Sequence, residues 1–128
     1  MNKRILAVAS LLGALAVILG AFGAHGLKTL IGTNELDIWA KGVEYQFYHV
    51  FALLFLAGLS NAAPRLVNSA FWCFLLGILF FSGSLYLLST REISRLGFVG
   101  YIGPVTPVGG LLLISGWICL FLAALKQK

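Results

Sequence analysis

The chain is short of charge, and that shortage excludes more than anything it contains. Charged residues make up 10% of it, with only four acids among 128 residues. A soluble domain is usually about a quarter charged. A water-soluble bundle of this composition would have to cover its surface with apolar side chains, which favours aggregation. Cysteine is scarce as well. Cys73 and Cys119 stand alone in apolar surroundings and no CxxC occurs, so redox or metal chemistry lacks its usual spacing. Two histidines at no recognisable ligand spacing give no metal site and no cofactor is implied. Neither GxxxxGK[ST] nor GxGxxG is present, which removes the phosphate-cradling loops. The net charge is +5, but the basic residues are dispersed and no run exceeds Lys3-Arg4. Nucleic acid is therefore not an expected partner.

What fills the chain instead is 60% apolar residues, gathered into four stretches at about 5–24, 47–63, 69–88 and 107–125. A helix needs roughly 20 apolar residues to cross a hydrocarbon core of ~30 Å. The pattern predicts an all-α integral membrane protein: one domain over 1–128, built as a four-helix bundle with the lipid bilayer as its solvent. Its start, with Lys3-Arg4, an apolar run and small residues at 21–23, imitates a secretory signal. The run exceeds the ~7–15 residues of a signal core, so it is counted as the first span.

Small residues recur every three or four positions in that first stretch. Gly13, Gly20 and Ala24 belong to this stripe, and small residues permit close helix packing in lipid. The first helix is thus expected at the centre of the bundle. Gly83, Gly109, Gly110 and Gly116 read as further packing positions on the later helices.

Between the first two spans, Leu36, Trp39, Val43, Phe47 and Val50 share one helical face, while Glu35, Asp37, Lys41 and Glu44 avoid it. This predicts an amphipathic helix at the membrane interface, capped by Thr33 or Asn34, anchored by Trp39 and bending at Gly42 into the second span. Residues 60–65 read as a turn, with Asn68 or Ser69 capping the third helix. Ser89 and Glu92 have capping-box spacing, so a short interfacial turn is expected there. Thr106-Pro107 predicts the start of the last helix, leaving 97–105 as apolar, non-helical chain folded over the end of the bundle.

An up-down-up-down arrangement gathers the polar residues at one membrane end. His25 closes the first helix; Glu44, Gln46 and His49 open the second; Ser82, Ser84 and Tyr86 end the third; Thr106 opens the fourth. Polar groups in a membrane usually face the bundle interior. The expectation is a network that pins the helices together, with His25 touching a polar side chain of the second or third helix. Both termini fall on one side, with Lys3, Arg4, Arg65, Lys126 and Lys128. The charge bias and the Lys3-Arg4 pair place that side in the cytoplasm of a bacterial inner membrane.

Several of these residues form familiar strings: Ala21-Phe22-Gly23-Ala24-His25-Gly26-Leu27, Tyr45-Gln46-Phe47-Tyr48-His49, Phe81-Ser82-Gly83-Ser84-Leu85-Tyr86, and Thr106-Pro107-Val108-Gly109-Gly110 with Gly116-Trp117. In this order they resemble the small-membrane-protein family of domain of unknown function 423. That family includes bacterial YwdK-like and YgdD-like proteins and is related to animal transmembrane protein 256. The resemblance covers essentially the whole chain and implies four spans but no activity. Residues 91–103 depart from it, being longer and more basic than the family pattern.

Three functional readings follow. The first is a non-enzymatic protein that packs against itself or a membrane-protein partner, or organises the membrane. The second is a small-solute or proton channel using the polar end, and the third is a binder or enzyme of a lipid or quinone.

Overall fold

The computed structural model describes residues 1–59 and 63–126. Within them the chain is helical and contains no strand. Helix α1 spans Lys3–Ala24, α2 Thr33–Gly58, α3 Pro64–Ser89, α4 Arg91–Ser94 and α5 Val105–Leu125, with 3-10 turns at Leu27–Thr29 and Gly97–Tyr101. Three of these helices, α1, α3 and α5, are long and apolar enough to cross a membrane. Residues 60–62 of the expected turn and the terminal Lys128 lie outside the described residues.

Local chemistry explains most helix ends. Asn2 caps α1 by accepting the Ile5 N–H at 3.2 Å, satisfying one of the free donors of the first turn. Pro64 opens α3, where its missing N–H has no partner to lose. Other caps differ from expectation. Gly32, not a side chain of Thr33 or Asn34, precedes α2. Asn68 sits inside α3 and accepts from Arg4 at 2.8 Å. Helix α5 begins at Val105 with Pro104 before it, so Thr106 lies within the first turn, its hydroxyl free for another bond. Residues 97–105 are not irregular throughout, because Gly97–Tyr101 forms a 3-10 turn that buries Val99. The short turn expected after Ser89 is present as α4, but Thr90 precedes it without a side-chain cap and Ser89 donates back to Tyr86 O, so the expected capping box does not form.

The amphipathic segment and the second apolar stretch are one helix. Helix α2 runs 26 residues without a break at Gly42. At 1.5 Å per residue it is about 39 Å long. Trp39 does not sit at a surface but is buried between α1 and α3.

The helices form a row in space. Helix α2 packs against α1 on one side and α3 on the other, and α3 packs against both α2 and α5. Neighbours run antiparallel: Asn2 N–H reaches Ala57 O at one end of α1, and Trp39 reaches Leu19 O toward the other. The first helix is therefore at an edge, not the centre. It buries only a narrow stripe of Ile5, Ala9, Leu12, Ala16 and Gly23. The core lies around α2 and α3, with Leu53, Leu56, Phe71 and Phe74 fully enclosed.

A buried polar network across the helices

The close approaches that carry the network are made by glycines. Helix α3 meets α2 at Gly42, where a Cβ would lie 2.8 Å from the Tyr86 ring. Helix α5 meets α3 at Gly109, where a Cβ would lie 2.8 Å from the backbone of Phe80 and Phe81. Gly116 lies against the Phe74 ring, and Gly77 and Gly23 receive Leu113 and Trp39 in the same way. Gly13 and Gly20 face Val50 and Val43 at ordinary contact distance. Two expected packing positions do not pack: Gly83 has nothing near it, and Ala24 is exposed. Gly110 meets only the Phe81 ring, at 3.8 Å.

Gln46 stands at the middle of the polar set and is 3% exposed. Its amide donates to Leu12 O of α1 at 2.8 Å, and its carbonyl accepts the Tyr86 hydroxyl of α3 at 2.7 Å. One side chain thus joins three helices. Seven residues earlier on the same face, the Trp39 indole donates to Leu19 O at 2.9 Å, and its ring packs on Tyr86 at 4.7 Å. Ser82 donates to Gly42 O at 2.7 Å, a bond that the missing glycine side chain makes reachable. Ser84 and Thr106 share a 2.6 Å bond between α3 and α5.

His49 closes the set. Its Nδ1 lies 2.7 Å from Tyr45 O, and Trp117 of α5 donates to its Nε2 at 3.0 Å. An indole N–H only donates, so Nε2 is the acceptor and the proton sits on Nδ1. Both bonds together require the neutral ring. Among the described residues, every buried side-chain nitrogen or oxygen has a hydrogen-bond partner.

Two expected members stand outside. His25 is exposed at the end of α1 and, among the described residues, makes no side-chain hydrogen bond, so the expected contact with α2 or α3 is absent. Glu44 is exposed and pairs with Lys41 at 3.1 Å on the outside of α2. Two members were missed, Trp39 as a donor and Trp117. Their signal was available: a tryptophan in an apolar helix carries one N–H that needs an acceptor. Cys73 of α3 and Cys119 of α5 are free, half-buried thiols.

Comparison with known proteins agrees with this reading of the strings. The family model described as "Protein of unknown function (DUF423)" matches residues 19–110. A UPF0382 membrane protein of Staphylococcus aureus (strain bovine RF122 / ET3-1) is 43% identical over 97% of each chain. The UPF0382 membrane protein YwdK of Bacillus subtilis (strain 168) is 44% identical over 88% of each chain. One from Staphylococcus haemolyticus is 41% identical over 91% of this chain and 93% of its own. No solved structure matches the chain.

Proposed function

The chain belongs to the DUF423 family of membrane proteins, and from that premise we propose that it is a non-enzymatic, four-span helical protein that packs with a partner or organises the bilayer around it. The fourth span in this reading is α2. Its charged first turns keep it from resembling a membrane helix by composition alone. Yet it lies antiparallel between α1 and α3, tied to both, so a bilayer crossed by its neighbours is crossed by it too. The whole of 1–128 then forms one membrane domain, with both termini on the cytoplasmic side of a bacterial inner membrane, where Lys3 and Arg4 flank the first span.

The observation that carries the reading is Gln46. Buried polar side chains bridge transmembrane helices where water is absent. Here one amide spans three helices, Ser82 adds a second tie from α3 to α2, and the Ser84–Thr106 and His49–Trp117 pairs extend the ties to α5. The polar residues hold the row of helices and leave the outer faces of α1 and α5 apolar, available to lipid, a second copy or another membrane protein. The solute-path reading gains nothing from this arrangement, because His25 and Glu44, which it requires inside, are at the surface. The test is to replace Gln46 by Leu in detergent-solubilised protein and follow both melting and co-purifying protein. A clear loss of Tm with loss of any oligomer or partner supports the reading. A solute flux in proteoliposomes that disappears in the variant while Tm holds would overturn it.

A further inference from the structure

The helices α2 and α5 do not pack along their length, and the space between them is a cleft of about 520 Å³ over α3. That volume falls within the range of small-molecule sites. Rings form its walls: Tyr45 and Tyr48 from α2, Phe81 from α3 and Trp117 from α5, with His49 completing the lining. Tyr45 lies 4.7 Å from Phe81 and 5.7 Å from Tyr48, and His49 lies 5.9 Å from Trp117, centroid to centroid. Gly110 keeps one side open, since no side chain projects there.

Three properties limit what such a cleft can hold. Its aromatic faces favour a flat guest, because rings stack offset or edge to face. Its lining carries no charged side chain, so the guest is neutral. Its free hydrogen-bonding groups are the Tyr45 and Tyr48 hydroxyls, which have no hydrogen-bond partner among the described residues and can each donate to a guest, while the His49 acceptor is already used by Trp117. A guest that brings acceptors of its own gains the hydrogen bonds that these phenols leave unmade. The mouth of the cleft faces outward beside Tyr48, which is 51% exposed, and Ile114, which is 57% exposed. Trp117 stands near the midpoint of α5, so in the four-span reading that mouth opens into the hydrocarbon.

The geometry points to a binding site for a neutral, planar, carbonyl-bearing ring on an apolar tail, the chemistry of an isoprenoid quinone. The ring lies among Tyr45, Phe81 and Trp117, its carbonyl oxygens accept from the two phenols, and the tail leaves between α2 and α5. A phospholipid chain would use the apolar walls but leave both phenols unpaired. The site is separate from the Gln46 ties, which hold the helices whether or not the cleft is filled.

The experiment is native mass spectrometry of the full chain released from detergent, after incubation with a naphthoquinone carrying a short isoprenoid tail. The same tail as a simple alcohol and a phosphatidylglycerol serve as competitors at equal concentration. One quinone per chain is expected, with neither competitor retained to the same extent. Gly110→Leu fills the cleft and abolishes the adduct while melting stays parental. If that variant does not fold, Ile114→Trp blocks the mouth from its exposed side and is read in the same way. Joint Tyr45→Phe and Tyr48→Phe removes the donors but keeps the rings, weakening binding about threefold to tenfold. Equal retention of the tail alcohol or the phospholipid, no quinone adduct, or an adduct that survives in a folded cleft-filling variant overturns the assignment.

Discussion

Gln46 and Glu44 stand two residues apart on one helix, and only one of them is inside. Successive residues on an α-helix are rotated by about 100°, so positions two apart point nearly opposite ways. Gln46 therefore turns inward, toward Leu12 and Tyr86, and Glu44 outward, toward Lys41. The energetic consequence is testable. Gln46→Leu leaves the Tyr86 hydroxyl buried without an acceptor, and a loss of about 1–3 kcal/mol is expected. Thermal melting in detergent measures it, and Glu44→Gln, which disturbs only an exposed ion pair, is expected to melt like the parent. His25→Ala belongs with Glu44→Gln: the exposed ring makes no side-chain hydrogen bond among the described residues, so Tm is expected unchanged. A lowered Tm for His25→Ala would place that ring back in the network.

At the scale of the helix, the glycines separate into those that permit contact and those that do not. Gly109 holds α5 against the backbone of α3, and a rigid backbone cannot yield to a new Cβ. Gly109→Ala is expected to lower Tm clearly, and Gly109→Leu to prevent a stable fold. Gly83→Ala is expected to be neutral or slightly stabilising, since nothing lies within reach and alanine favours helix. The two variants melted side by side decide the matter, with equal tolerance removing Gly109 from the α3–α5 contact. The same distinction corrects the first helix. Its small-residue stripe resembled a central packing surface, but Gly20 meets only a Val43 methyl at ordinary distance, and α1 has one full neighbour.

For the whole molecule, the prediction is topological. Four crossings place tags at the two ends of the chain on one side and a tag inserted beside Gly32 on the other. Accessibility of single introduced cysteines to an impermeant thiol reagent in sealed vesicles measures this, with Cys73 and Cys119 replaced by Ala. Termini labelled from opposite sides would show that α2 does not cross.

How much of this was written in the chain depends on whether a property is local. Hydropathy and its absence of charge determined that the protein is helical and belongs in a membrane, because each helix must satisfy its own backbone bonds in lipid and that requirement acts on every segment separately. The sequence likewise brought Gln46, His49, Ser82, Ser84, Tyr86 and Thr106 together as a polar set, since spacing along helices and their alternation are properties of one dimension. Only the tertiary structure decided which of the neighbouring residues face inward, that α2 and α3 rather than α1 form the centre, and that Trp39 and Trp117 supply bonds. Those outcomes depend on helix rotation and on which pairs approach, and both are fixed by side chains from segments far apart in the chain, as at Gly42 with Ser82 and at Gly109 with Phe81.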